Sequence, residues 1–523
     1  MTASAPLPAN SAAAIREGRT SLGIELGSTR IKACLIGEDS EVFATGSHDW
    51  ENQFVDRVWT YSLEEVWTGL ASTVADLLAE AEREHGVRPT TFGAIGISAM
   101  MHGYLAFNAA GELLTPFRTW RNTTTSVAAA ELTQALSYNI PMRWTAAHLY
   151  QAVLDGEAHV PEIAHVTTLA GYVHWRLTGR QVVGVGEASG IFPIDASTGD
   201  YDSSLLAILD ERLSTHASDL PSARDLFPAS LPAGADAGQL TADGAALLDP
   251  TGTLTAGISL CPPEGDAGTG MVATNAIAPR TGNVSVGTSI FAMIVLEKPL
   301  EQLHHEIDLV TTPVGDLVAM VHCNNGASEL GEWADVFHTF AGAIGHGATR
   351  DEVFATLLAQ AIEGQADAGG LLAYNYLAGE PITGLEEGRP LFVRTPDSAF
   401  NLANFMRAQV YGAFGTLSLG MRILDAEGGG VGALLAHGGL FRTAGVAQRL
   451  LAAAVGAPVA VGATASEGGA WGIAVLAAYS TAVRTQPDLT LAAYLNETVF
   501  ASAETVVVEP DPDDMIGYAR FLE

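Results

Sequence analysis

Lysine is nearly absent from this chain: it occurs twice in 523 residues, as Lys32 and Lys298. Basic residues of both kinds number 25 against 59 acidic ones. The resulting net charge of −34 argues against a nucleic-acid backbone or an anionic membrane surface as partner. Cysteine is almost as scarce. Cys34, Cys261 and Cys323 are odd in number and widely spaced, which excludes a disulfide framework, and they show no zinc-ligand spacing. Buried thiols in a reducing, cytoplasmic setting are the expectation. Charged residues make up 16% and hydrophobic ones 48%, a composition that excludes a disordered chain. No segment is long and apolar enough to predict a membrane-spanning helix. Residues 1–20, rich in Ala, Ser and Pro, lack the continuous apolar stretch of a signal peptide and are expected to be a disordered leader. No Gly-Lys-Ser/Thr closes either of the two loops considered next, so neither is a Walker motif.

What the chain does have is a pair of similar loops, one in each half. Gly27-Ser28-Thr29 interrupts the apolar run Leu22–Ile36, and Gly287-Thr288-Ser289 interrupts Asn283–Val295. Apolar residues alternating into and out of a small polar turn predict a β-hairpin with a tight tip. Such a tip aims backbone N–H groups and hydroxyls at one point, and glycine leaves room for a ligand to approach. Two such tips suit the two sides of one polyphosphate.

The length calls for two large domains. After the first hairpin and a strand at Glu41–Thr45, Ser62–His85 reads as a helix. Ser62 and Glu65 make a capping-box pattern, Val66, Leu70, Val74, Leu77 and Leu78 recur at helical spacing, and Gly86 is a stop. Phe92–Ser98 reads as a buried strand delivering Met100-Met101-His102-Gly103. Helices are expected near 125–137, 163–176 and 203–210, and a strand at Leu254–Ser259 leads to Gly265-Asp266. The second half repeats the plan. Its hairpin at 282–296 is followed by a strand at 316–322, helices near 327–340, 350–363 and 401–424, and a strand at Ala433–His437 running into Gly438-Gly439. Closing helices at 445–455 and 467–481 follow, the second preceded by the turn Ser466-Glu467-Gly468-Gly469-Ala470. A strand meander and helices appearing twice predict an α/β duplication with a cleft between its halves.

Asp266 is the candidate general base, since phosphorylating a hydroxyl needs a carboxylate to accept its proton. Gly-Asp is also an ordinary turn sequence. Glu25 places a carboxylate beside the first tip, and Lys32 stands near it as one of only two lysines. His102 follows a buried strand and suits either a polar ligand or a structural hydrogen bond.

In order and spacing, these motifs resemble the FGGY carbohydrate kinases. The matching stretches are Gly23–Lys32, Met101-His102-Gly103, Tyr172–Gly179 with Ala188-Ser189-Gly190, and Gly265-Asp266. They continue with Val286–Ser289, Tyr376–Glu380, His437–Gly439 and Glu467–Gly472, so the likeness spans about residues 21 to 480. The resemblance implies two duplicated actin-like (ribonuclease-H-like) domains with an interdomain catalytic cleft. It divides the chain into an N-terminal domain at 21–277, a C-terminal domain at 278–490 and a C-terminal tail at 491–523. It implies ATP as co-substrate and Mg²⁺, the metal near Glu25. Ser28, Thr29 and Lys32 would face the phosphates from one domain, and Gly287 and Thr288 from the other. Gly438 and Gly439 would flank the adenosine. Asp266 would be the base and a sugar contact, with Met101, His102 and Trp120 forming the sugar pocket.

Three departures bear on the substrate. Glu25 stands where the family usually has Asp. Met100 replaces the Gln typical of xylulokinases, and Asn122 and Thr124 follow Trp120 where Asp and then Arg are usual. The expectation is an ATP-dependent kinase of a primary hydroxyl on a ketopentose, L-ribulose or xylulose, with Met100 and Asn122 shaping the pocket. A glycerol or hexulose kinase, or a non-catalytic ATP and sugar sensor, are the alternatives. A homodimer is left open.

Overall fold

In the computed structural model the residues described are 11–443, 445–462, 468–503 and 505–523. The chain is α/β and divides into two units. The first comprises the chain up to Asn275 with two later returns, Leu309–Leu317 and the stretch ending at Ser502. The second comprises Ala276–Asp308, the stretch from Val318 to the mid-460s, and the C-terminal residues.

The first unit is built on strands β1 (Ser21–Leu26), β2 (Arg30–Ile36), β3 (Val42–Asp49), β4 (Ala94–Ala99), β5 (Ser259–Leu260) and β6 (Glu264–Gly265). β1, β2 and β3 form an antiparallel meander, and β4 lies parallel to β1 on its other side. β5 and β6 both pair parallel with β4. The hairpin is buried on both faces, with Leu22, Ile24, Leu26, Ile31 and Leu35 on one and Gly23 and Cys34 on the other. The helix Leu63–His85 covers one face with Val66, Leu70, Val74, Leu77 and Leu78, and Gly86 ends it in the left-handed conformation. Ser62 accepts from the Glu64 and Glu65 amides as expected, whereas the Glu65 carboxylate accepts from Gln53 Nε2 at 2.9 Å. On the other face the helix Gly468–Thr485 presses so closely that a Cβ on Gly23 would strike the Ala470 carbonyl, and one on Gly472 the Thr269 carbonyl.

The second unit repeats this plan. The strands of its sheet are β7 (Thr281–Val286), β8 (Ile290–Val295), β9 (Ile307–Thr311, grouped with the first unit from Leu309 on), β10 (Leu317–Cys323), β11 (Ala433–His437), β12 (Val459–Gly462) and β13 (Thr505–Val508). Their order is β9-β10-β8-β7-β11-β12-β13. The central five reproduce the first sheet: a β7–β8–β10 antiparallel meander, with β11 parallel to β7 and β12 parallel to β11. The apolar helix Leu402–Ala426 packs behind it.

Several boundaries differ from those expected. Within the leader assigned to 1–20, Ser11–Arg16 is helical with Ala14 and Ile15 in the hydrophobic core; residues 1–10 lie outside the described residues. The helix Gly468–Thr485 belongs to the first unit rather than to a domain at 278–490, because its buried face fits the glycine-lined side of β1. Leu309–Leu317 likewise sits with the first unit. There the Thr311 hydroxyl donates to the Val185 carbonyl at 2.9 Å, and the Thr311 amide to the Ser189 hydroxyl at 3.0 Å. Residues 491–523 are not a tail. Leu491 and Tyr494 are buried, and β13 adds an antiparallel edge strand to β12. The helix Pro512–Leu522 is pinned by Asp514, which pairs with the buried Arg407 and with Arg449. The strand expected at Leu254–Ser259 shrinks to Ser259–Leu260. Among the described residues no helix is long and apolar enough to cross a membrane.

Candidate active site

Three parallel strands of the first unit, β1, β4 and β6, end side by side, and each hands the chain to a candidate residue. Carboxyl ends of parallel strands are where ligands bind in α/β sheets, because the loops there are free of the ladder. β1 runs into Gly27-Ser28-Thr29, β4 into Met100-Met101-His102, and β6 into Asp266.

Asp266 opens the helix Asp266–Ala273 directly after β6, and its Oδ1 accepts a hydrogen bond from the Met101 amide at 3.0 Å. The side chain reaches solvent from a recess enclosed by protein. That enclosure pushes its carboxyl up from the usual carboxylate range, while the amides of Met101, Ala267 and Asp266 itself pull it back. Met101 is buried, and His102 follows with φ of +73° and Gly103 with φ of +103°. A left-handed histidine costs about 1–3 kcal/mol and persists only where its surroundings enforce it. Here the ring is held by stacking on Trp144 at 6.4 Å and by an Nδ1–H donated to the Gly190 carbonyl at 3.4 Å. Burial holds the imidazole well below its ordinary pKa, so it is neutral and its lone pair lies on Nε2.

Glu25 and Lys32 face each other across the β1–β2 ladder, and Ser98 of β4 lies on Glu25's other side. Glu25 is packed against Gly469 and accepts from the Ala470 amide in the first turn of the helix Gly468–Thr485. Burial and the nearby Asp266 push its carboxyl up to about 7, with Lys32 acting in the opposite sense. The Ser466-Glu467 part of the turn preceding this helix lies outside the described residues. The first tip is exposed at Ser28 and Thr29 and propped from behind. Trp50 Nε1 donates to the Gly27 carbonyl at 2.7 Å and the Tyr61 hydroxyl to the Ser28 carbonyl at 2.6 Å.

The second unit brings together its own four candidates. β7 and β11 are parallel neighbours with Ser285 opposite His437, so Gly287-Thr288 and Gly438-Gly439 emerge at the same sheet end. The second tip is held by backbone: the Gly326 amide donates to the Thr288 carbonyl at 2.7 Å and the Ala327 amide to the Gly287 carbonyl at 2.8 Å. Gly438 has φ of +117°, and a Cβ there would collide with the Val286 carbonyl, so this turn requires glycine on both counts.

Two expected pocket residues are not pocket residues. Met100 is 2% exposed and belongs to the apolar core, its amide donating to the Leu26 carbonyl at 3.0 Å. Asn122 spends its side chain on the backbone: Oδ1 accepts from the Trp59 amide at 2.9 Å, and Nδ2 donates to the Trp59 and Thr119 carbonyls. Buried amides that satisfy backbone groups are unavailable to a ligand. Trp120 is 40% exposed in the turn before it, with the Arg121 guanidinium 5.9 Å from its ring. Glu187 was missed altogether. It is fully buried beneath Gly265, and its one sequence signal was the glycine on either side, Gly186 and Gly190, in the segment already matched at Ala188-Ser189-Gly190.

Glu25 is a hard carboxylate that suits a Mg²⁺ ion keeping water and phosphate oxygens as its remaining ligands. Among the described residues no cluster of three or more His, Cys, Asp or Glu is arranged as a complete metal cage. A single carboxylate fits a metal whose other ligands are water and phosphate oxygens.

The repeated sheet and the candidate turns at its strand ends define a two-unit α/β protein of the sugar-kinase class. Two family profiles match it: the FGGY family of carbohydrate kinases, N-terminal domain, over residues 20–251, and the C-terminal domain of the same family over residues 282–481. The chain belongs to the FGGY family of carbohydrate kinases, a family of phosphotransferases. A xylulose kinase of Klebsiella pneumoniae is 24% identical over 196 residues, which span 36% of this chain and 40% of that relative. The crystal structure of xylulose kinase from Rhodospirillum rubrum superposes with a TM-score of 0.77 at 20% identity, covering 96% of this chain and 97% of the other. Plasmodium falciparum glycerol kinase with ADP superposes at 0.73 with 13% identity, covering 96% of each chain. These structural likenesses speak for the fold.

Proposed function

We propose that this protein transfers the γ-phosphoryl group of ATP to a primary hydroxyl of a small sugar, a ketopentose such as L-ribulose or xylulose. The observation that carries the reading is Asp266: a carboxylate held by the Met101 amide through one oxygen, at the joint end of β1, β4 and β6. The carboxylate is open to solvent and keeps lone pairs to accept the proton of a sugar hydroxyl. As that oxygen attacks the γ-phosphorus, the bond to the β-phosphate oxygen breaks, ADP leaves and the proton rests on Asp266. The Nε2 lone pair of neutral His102 suits a second sugar hydroxyl, and Met101 forms apolar wall beside it. Trp120 serves as the outer face of the sugar pocket. Ser28, Thr29, Gly287 and Thr288 present hydroxyls and backbone N–H groups to phosphate, Lys32 adds positive charge, and Gly438 and Gly439 leave room for the flat adenine base. Mg²⁺, when bound near Glu25, would neutralise phosphate charge.

The repetition of one five-stranded plan in both sheets supports reading the units as a duplicated, actin-like (ribonuclease-H-like) pair. A cytoplasmic location is proposed with it, in keeping with cysteines that are few and buried. The ketopentose assignment draws on the names of the xylulose kinases to which the chain is similar. The test is an ADP-release assay over pentuloses, hexuloses, polyols and glycerol. A pentulose is expected to give the highest kcat/KM, and glycerol exceeding every pentulose overturns the assignment.

A further inference from the structure

We propose that Glu187 is a positioning residue of this reaction, setting Gly265–Asp266 and Met101 against each other from the buried side of the site. The inference rests on the reading of Asp266 as the base. Glu187 lies in the short helix Val185–Ala188 and is wholly buried. A Cβ built on Gly265 would come within 2.5 Å of Glu187 Oε2, 2.9 Å of Met101 Cγ and 3.1 Å of Met101 Cβ. The carboxyl of Glu187, the side chain of Met101 and the backbone leading into Asp266 therefore converge on one missing side chain. Met101 is also the residue whose amide holds Asp266.

The support is reciprocal. Glu264, two residues before Asp266, accepts from the Glu187 amide at 2.9 Å and from the Gly186 amide at 3.3 Å. Gly190, whose amide donates to the Glu187 carbonyl at 3.0 Å, in turn accepts the His102 ring N–H. Residues 186–190 thus form a floor under both Met101-His102 and Gly265-Asp266. A change in the length or shape of the Glu187 side chain has no slack to absorb it, and tenths of an ångström at Asp266 matter to a proton transfer.

The charge state follows from the surroundings. The groups acting on Glu187 are the Thr168 hydroxyl and the carboxyls of Glu264 and Asp266, and the Tyr201 phenol is also within its field. None of these is cationic. Neither Glu187 oxygen makes a hydrogen bond of normal geometry, and enclosure drives its carboxyl far above the usual range. Glu264 beside it is pushed up to about 8. Glu187 is accordingly the neutral acid, and it adds no repulsion to an ionised Asp266.

The experiment compares E187Q, E187A and D266N in the full chain. Because glutamine preserves shape and neutrality, E187Q is expected to restore kcat to within about threefold of the wild type. E187A is expected to lose on the order of 100-fold in kcat with KM for ATP unchanged, the cost of a displaced reacting group. E187Q falling as far as E187A, or E187A keeping wild-type kcat, overturns the proposal. A readout independent of turnover is the wild-type minus E187Q infrared difference spectrum at neutral pH. A protonated-carboxyl C=O band is expected, and carboxylate bands in its place overturn the proposal even if E187A does not fold. D266N separates the two readings: wild-type kcat there removes Asp266 as the base, while the infrared band still reports on Glu187.

Discussion

The two hairpin tips look alike in sequence and are built by different means. The carbonyls of Gly27 and Ser28 are pinned by side chains, the Trp50 indole and the Tyr61 phenol, whose rings stack at 4.2 Å. Those of Gly287 and Thr288 are pinned by the backbone amides of Ala327 and Gly326. In both cases the carbonyls are drawn behind the turn, which leaves hydroxyls and N–H groups in front. One chemical surface has two mechanical supports, and the two should fail under different substitutions. The first depends on two aromatic side chains, with the Trp50 amide also donating to the Thr29 carbonyl at 3.2 Å. The second depends on close packing at Gly326, where a Cβ would lie 2.5 Å from the Gly287 carbonyl, and on Asn375, whose Nδ2 donates to the Gly326 carbonyl at 2.8 Å.

The widest contrast expected is between either tip and Asp266. Asp266→Asn keeps shape and removes basicity, so kcat should fall by about two to four orders of magnitude with ATP binding retained. Steady-state kinetics paired with calorimetric nucleotide binding reads this directly, and near-normal kcat would return the search to Glu25, because Glu264 is clamped by two amides.

Within the second tip, Gly287→Val and Gly326→Ala separate ligand approach from loop support. A Cβ at Gly287 meets only the Ser289 carbonyl, at 3.9 Å, so the protein leaves room there and the main effect is expected on the ligand. KM for ATP should rise roughly tenfold or more with thermal stability unchanged, corresponding to about 1.4 kcal/mol or more of lost binding. Gly326→Ala should raise KM for ATP and also lower the melting temperature, since overpacking costs about 1–3 kcal/mol. Equal melting temperatures for the two variants would erase the distinction between ligand approach and loop support.

At the first tip, Tyr61→Phe deletes one hydrogen bond to the Ser28 carbonyl, worth about 1 kcal/mol. A several-fold loss in ATP affinity is expected, with little change in KM for sugar. An unchanged affinity would mean that the tip holds its shape without the phenol.

A further effect is a pH dependence of stability. Glu25 is pushed up from 4.5 to about 7 in the folded protein. Between those values the folded state holds a proton that the unfolded state has released, so the Glu25 contribution to stability falls as pH rises from about 4.5 to 7. Without nucleotide or divalent cation, Glu25→Gln should lose less stability than the wild type across that window. Parallel melting-temperature profiles would show that Glu25 is ionised throughout.

Much of the sheet was legible from the sequence, because a hairpin or a buried strand declares itself locally. Leu22–Ile36 and Asn283–Val295 pair as their alternation predicts, and the helix Leu63–His85 begins at its Ser62 cap and stops at Gly86. The candidate pocket was legible in part. The chain does bring Met101, His102 and Asp266 to neighbouring strand ends, but Met100 and Asn122 went to the core and to the backbone of Trp59. Nothing local distinguishes a methionine at a strand end that faces inward from one that faces a ligand. Nor does a sequence show that an asparagine's hydrogen-bonding capacity is already consumed 63 residues away.

By itself, then, the sequence determined the class of chain, the two tips, the strands that carry them and the carboxylate that follows Gly265. These are set by periodicity, glycine and turn chemistry within short windows. Only the tertiary structure decided that Gly468–Thr485 closes the first sheet and that Pro512–Leu522 is locked to Arg407. It alone placed Glu187 beneath Asp266, because these depend on where a glycine lets two distant segments touch and on which polar groups are enclosed once they do.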